Sequence, residues 1–144
     1  MSTSAEPTPK HLTVSAVCFH NAASQVLTVR KSGTAAFMLP GGKLEPGESP
    51  AQAAVREVLE EIGIKITPRD LTELGTFTAA AANEPDTSVR GHIFCAELTG
   101  TPEPAGEIAE LRWYDRSDRS QQLAPLLRDH IFPALEAENI HMED

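Results

Sequence analysis

The chain has 144 residues with a formal net charge of −9, 40% of them hydrophobic and 23% charged, which describes one ordinary globular domain with enough apolar material for a core. That acidity argues against a nucleic-acid surface and against anionic membranes, since both call for clustered Lys and Arg. No apolar run approaches membrane-spanning length, and the opening MSTSAEPTPK lacks the apolar segment of a signal peptide, so a cytoplasmic address is expected.

Residues 1–10 are small, polar and proline-containing and read as a disordered tail, leaving 11–144 as a single domain. LTVSAVCFH, from Leu12, has the composition of a strand; NAAS, from Asn21 to Ser24, is a turn signal, and QVLTVRK resumes with period-two alternation. Together they predict a hairpin. FMLPGGKLEPGESP carries proline and glycine at both ends and is expected to be mostly loop. A helix follows: Ser49 is a good N-cap, Pro50 suits the first helical position, Gln52 completes a capping box, and Gly63 sits where a glycine ends a helix. LTELGTFTAA and VRGHIFCAEL read as strands around the polar loop AANEPDTS, with ELRWYD a further strand. From Ser117 to about Glu138 the spacing of Leu123, Leu126, Leu127, Ile131 and Leu135 predicts a closing amphipathic helix, with Pro125 near its start and Pro133 kinking it. Cys18 and Cys95 each fall in a strand-like apolar run and read as buried, reduced thiols. The plan is α+β, strands predominating.

The segment REVLEEIG places Glu57, Glu60 and Glu61 at i, i+3 and i+4 on one arc of the helix. Val55, Val58, Leu59 and Ile62 take the opposite arc and are expected to dock the helix on the core. Arg56 can pair with Glu60 one turn on. A solvated acidic face is the ordinary explanation of such a run. Against it, like charges at i, i+4 destabilise a helix by a few tenths of a kcal/mol, and the cluster lies near the C-terminus, where the dipole disfavours anions. A divalent cation would relieve both costs, because clustered oxygen ligands suit hard ions such as Mg²⁺ or Mn²⁺.

Counting upstream, Gly42 is followed after five residues by Glu48, and after seven more by Arg56-Glu57-Val58-Leu59-Glu60-Glu61-Ile62-Gly63-Ile64. This stretch resembles the signature of the Nudix hydrolase family (MutT-like), G-x5-E-x7-R-E-U-x-E-E-x-G-U with U aliphatic, and every fixed position is matched. The resemblance covers Gly42 to Ile64 and implies a Nudix-type α/β/α sandwich with a central mixed sheet. It implies metal-dependent hydrolysis, with Mg²⁺ or Mn²⁺, of a pyrophosphate bond in a nucleoside diphosphate linked to a further group X. Carried over, Glu57, Glu60 and Glu61 are the metal-ligand and base set, the Gly42 or Gly41 carbonyl is a further ligand, Glu48 is a supporting residue, and Arg56 orients the glutamates. The cation would neutralise the charged pyrophosphate, which an acidic pocket otherwise repels.

Outside the signature, family members often recruit an acidic residue from a later loop; Glu107 resembles that position first and Glu110 second, and either also reads as a surface glutamate. Arg30 and Lys31 at a strand end could contact phosphates or be solvated, and Phe37 and Trp113 could stack on a base or belong to the core. Asn83 and Glu84 lie in a loop that could shape the leaving-group pocket, and His92 is read as a strand residue. A (d)NTP-type nucleotide is the expected small-molecule substrate. Dinucleoside polyphosphates, ADP-ribose and capped RNA are the alternatives within the family, the net acidity weighing against RNA. A non-catalytic regulatory Nudix domain is a different class of answer, disfavoured because no glutamate of the signature is missing. A simple acidic metal-binding or interaction protein without turnover is a third. Relatives commonly dimerise, so a homodimer is compatible with the resemblance.

Overall fold

The computed structural model describes residues 10–82 and 84–137. Most of the expected tail, Asn83, and Glu138 at the end of the closing helix lie outside them. Strands β1 (Lys10–Phe19), β2 (Gln25–Lys31), β3 (Phe37–Met38) and β4 (Gly41–Lys43) precede helix α1 (Pro50–Ile62). Strands β5 (Thr72–Ala80), β6 (Thr87–Ala96) and β7 (Ile108–Asp115) come next, and α2 (Phe132–Ala137) closes the described chain. Lys10, assigned to the tail from sequence, already belongs to β1.

Two sheets form. One has the order β4-β1-β6-β5, the other β3-β2-β7. In the first, β1 runs parallel to β6 from Lys10↔Thr87 to Phe19↔Ala96, while its other pairings are antiparallel, so the sheet is mixed. The expected β1–β2 hairpin does not form a ladder. Asn21–Ser24 does turn the chain, with the Asn21 side chain accepting the Ala23 and Gln25 N–H groups at 2.9 Å. Beyond it lies a single bridge, His20↔Val26, after which the two strands enter different sheets. The reason is burial: from Ser15 to Phe19 every residue of β1 is buried, the mark of an interior strand covered on both faces, whose partners come from distant sequence.

Alternate residues of β1 feed two cores. Val17 and Phe19 pack with Leu27, Val29 and the inner face of α1, whereas Ala16 and Cys18 pack with Val26, Ile93 and the C-terminal segment through Leu127, Phe132 and Leu135. Helices thus cover both sides of the strands. Cys18 and Cys95 sit opposite each other in the parallel ladder without a disulfide, the first buried, the second half-buried.

Helix α1 begins as its sequence dictates. Ser49 Oγ accepts the Gln52 N–H at 3.1 Å and Gln52 Oε1 accepts the Ser49 N–H at 2.9 Å, and Gly63 closes the helix in the left-handed conformation at φ 72°. Its buried face differs from the expected one. Ala54, Val58 and Ile62 point inward, each side chain of Val or Ile size contributing about 1.5–3 kcal/mol on burial. Glu61 is buried with them and Leu59 is 49% exposed. The inward direction is therefore rotated towards Glu61, which β4 receives by a hydrogen bond. The closing helix also begins later than Ser117: the chain is irregular to Ala124 and helical from Pro125. Leu127–Ile131 then forms a π turn, with the Phe132 N–H bonded to the Leu127 carbonyl. That wide turn precedes Pro133, whose ring would clash with the carbonyl four residues back in a regular helix.

Candidate active site

The loop before α1 and the helix itself are bound together by Arg56. Its Nε and Nη2 donate to the two oxygens of Glu48 at 2.6 and 2.9 Å, Nη1 donates to Glu57 Oε2 at 2.8 Å, and Nη2 also donates to the Lys43 carbonyl at 3.0 Å. The predicted Arg56–Glu60 pair is present at 3.5 Å, a looser contact than these. The guanidinium lowers the Glu48 carboxyl to about 2, helped by the Glu45 N–H, and its own proton affinity is raised by Glu48 and then Glu57.

β4 lies against the other side of the glutamates. The Gly41 N–H donates to Glu61 Oε1 at 3.0 Å. Neither glycine has room for a side chain: a Cβ on Gly41 would collide with the Ser15 carbonyl, and one on Gly42 would lie 2.5 Å from the Glu57 carboxyl carbon. Burial pushes the Glu61 carboxyl up to about 7; the Gly41 hydrogen bond opposes this, nearby Glu57 reinforces it, and Lys31 opposes it.

The structure therefore brings Glu57 and Glu61 together beside Gly41 and Gly42. Glu60 does not join them, since its side chain is 59% exposed. Among the described residues no three His, Cys, Asp or Glu side chains converge as a ready-made metal cage. The donors present still fit a hard divalent ion. They are oxygens only, packed against backbone that a Cβ would fill, and Mg²⁺ characteristically takes one or two carboxylates and completes its shell with water and substrate phosphate.

The loop after β6 packs on the end of α1: the Ala105 N–H donates to the Glu61 carbonyl at 2.9 Å and the Glu103 N–H to the Ile62 carbonyl at 3.1 Å. Those are helix-end carbonyls without intrahelical partners. Glu107 follows on this loop and is exposed. Glu110 instead pairs with Arg30 at 3.1 Å and Arg112 at 2.9 Å, and the two arginines hold its carboxyl below the usual range. Arg30 is occupied there and by the Thr34 carbonyl at 2.9 Å. Phe37 is buried, with the Arg112 guanidinium 4.5 Å above its ring and Tyr114 edge-on, so it offers no free stacking face, while Trp113 is half-buried and packs against the α1-side core. Lys31 differs from Arg30. It follows a register shift in β2, acts electrostatically on Glu61 and lines the pocket described next.

A pocket of about 200 Å³ opens beside the glycine turn, walled by β1, β6, the β5–β6 loop and the C-terminal segment. Gly41, Gly42, Lys31, Lys43 and Glu84 contribute to it, so the pocket and the glutamates share the glycine turn as a common wall. Sequence reading pointed to Glu84 but missed Lys43 and the apolar lining. The period-two spacing of Leu12, Val14 and Ala16 and the alanine run ending at Ala82 were the available signals. His92 faces Thr76 at 3.3 Å, as a strand residue.

The NUDIX domain model matches residues 9–135. The chain is 34% identical over 95 residues to the "Putative 8-oxo-dGTP diphosphatase" of Bacillus subtilis, covering 65% of this chain and 59% of that protein. It is 34% identical over 99 residues to the "ADP-ribose pyrophosphatase" of Methanocaldococcus jannaschii, covering 65% and 52%. The alignments thus span little more than half of these relatives. Its fold matches that of the MutT protein from Methanosarcina mazei with a TM-score of 0.76 at 22% identity, over 93% of this chain and 99% of that one. With the domain model covering nearly the whole chain and the sandwich shared with solved relatives, this protein belongs to the Nudix family.

Proposed function

We propose that this protein hydrolyses a pyrophosphate bond in a nucleoside diphosphate-X substrate with the help of a divalent cation, Mg²⁺ or Mn²⁺, and that the substrate is a (d)NTP-type nucleotide. One observation carries the reading: two glutamates packed on a glycine turn that also walls a pocket lined in part by two lysines. Glu57 and Glu61, with the Gly42 or Gly41 carbonyl, would hold the cation, and Glu60 would reach it from the exposed side. When bound, that ion supplies charge neutralisation and polarises the phosphoryl group.

The chain's own residues do the rest. Arg56 fixes Glu57, and Glu48 fixes Arg56. Lys31 and Lys43 attract the phosphate chain to the shared wall. Water attacks phosphorus, the bridging P–O bond breaks, the leaving oxygen departs with the electron pair, and the water proton passes to a carboxylate. We assign that role to Glu107, whose loop docks on the α1 terminus beside the glutamates. Names of relatives point to different substrates, 8-oxo-dGTP for one and ADP-ribose for the other. The net charge of −9 weighs against an RNA substrate.

The test is product release from a panel of (d)NTPs, dinucleoside polyphosphates and ADP-ribose with and without Mg²⁺, alongside Glu57→Gln and Glu60→Gln. Metal-dependent turnover of a (d)NTP, abolished in Glu57→Gln, supports the reading. Turnover unchanged in both variants would defeat it.

A further inference from the structure

The pocket has a chemistry that the glutamates do not explain. Its floor is a ladder of small and aliphatic residues, Leu12, Val14 and Ala16 on β1 against Val89 and Ile93 on β6. Leu126 and Leu127 cover it, and Ala80, Ala81 and Ala82 form the side wall. Charged side chains, Lys31, Lys43 and Glu84, are its only polar ones among the described residues. The described lining residues include no aromatic ring, side-chain amide or hydroxyl.

We infer that this pocket seats the nucleobase and selects it by shape and apolar contact, with the Ala80–Ala82 wall as the size limit. The protein is then a nucleotide hydrolase of low base selectivity that favours added methyl groups and gives no preference to added polar groups such as the 8-oxo group. This rests on the nucleotide reading above. The lysines beside the glycine turn place the phosphates at the shared wall, which leaves the apolar interior for the base. A site built on hydrogen bonds rejects an analogue lacking them by about 10⁴-fold or more, whereas an apolar pocket separates substrates differing by a methylene by about 10–200-fold. Burying one extra methyl is worth about fourfold.

Two measurements test this: kcat/KM with Mg²⁺, and calorimetric binding with Ca²⁺ in place of Mg²⁺, which keeps the readout independent of turnover. Both use dATP, dCTP, dGTP, dTTP, 5-methyl-dCTP, 8-oxo-dGTP and deoxyribose 5-triphosphate. The expected pattern is four ordinary dNTPs within about tenfold of one another, 5-methyl-dCTP about fourfold better than dCTP, and 8-oxo-dGTP no better than dGTP. All should bind more tightly than the triphosphate without a base. Ala81→Leu should raise KM for purines more than for pyrimidines, leaving Mn²⁺ binding by EPR unchanged. A hundredfold preference for 8-oxo-dGTP, or equal binding with and without a base, overturns the pocket assignment while the hydrolase reading stands. Flat base selectivity in binding with no turnover of any nucleotide supports the pocket and defeats the hydrolase reading.

Discussion

Arg56→Lys keeps the charge at the centre of the signature and removes only its fork. In the native protein the guanidinium makes four hydrogen bonds to Glu48, Glu57 and the Lys43 carbonyl, between 2.6 and 3.0 Å. A lysine ammonium is a point donor on a flexible stem and cannot span Glu48 in two places while reaching Glu57. At least two charge-assisted bonds are lost, and because the site is partly hydrated, water replaces some of them; the net cost is about 1–2 kcal/mol. For a domain of this size that lowers Tm by about 4–8 °C. Glu57, no longer held towards the glycine turn, makes kcat fall by about 10–100-fold, while KM moves less, because the lysine charges and the apolar lining of the pocket remain. Thermal unfolding followed by circular dichroism, with steady-state kinetics on the best nucleotide at saturating Mg²⁺, reads both effects. A variant with native Tm and kcat within twofold of wild type would show that the guanidinium does not position Glu57, and the role given to Glu48 would fall with it.

Gly42→Ala should cost activity without unfolding the protein, because its Cβ meets the Glu57 carboxylate at 2.5 Å while most of the core lies elsewhere; native circular dichroism with at least a tenfold loss of kcat is expected, and full activity would remove Gly42 from the site. In metal-free protein, Glu61 should make stability fall as pH rises from its unfolded value of 4.5 to about 7, since the folded state holds the proton more tightly. Glu61→Gln should abolish that fall and be more stable than wild type at pH 8 in chelator by about 3 kcal/mol, with the difference shrinking by pH 5; a pH-independent difference in denaturant midpoints would refute it. Glu48 works in the opposite sense. Its carboxyl is held at about 2, so its stabilising contribution is present at neutral pH and is lost as pH falls from 4.5 towards 2. Glu48→Gln should therefore lose less stability than wild type over that acid range, as followed by denaturant midpoints.

Local chemistry was enough to write much of this protein from its sequence. Ser49, Gln52 and Gly63 cap α1 through bonds to their own neighbours, so the helix could be placed before any tertiary contact was known. The spacing from Gly42 to Ile64 carried the family, because metal and phosphate chemistry confine those residue types to fixed offsets along one turn and one helix. Partner choice lay beyond that reach. The turn at Asn21–Ser24 is real, yet β1 pairs with β6, whose residues are more than seventy positions away, because a strand buried on both faces carries no alternation to name its neighbours.

The same division runs through the site. A helical wheel put Glu57, Glu60 and Glu61 on one exposed arc, but only the packed β4 strand, with the Gly41 N–H offered at 3.0 Å, could draw Glu61 into the core and leave Glu60 and Leu59 in solvent. Likewise Phe37 and Lys31 were equal candidates in the sequence. Packing covered the first with Arg112 and turned the second towards the pocket. Sequence decides what a short segment can do with its own backbone and side chains. Which face of that segment meets which neighbour depends on contacts between residues far apart in the chain, and these exist only once the sheets and helices have closed on one another.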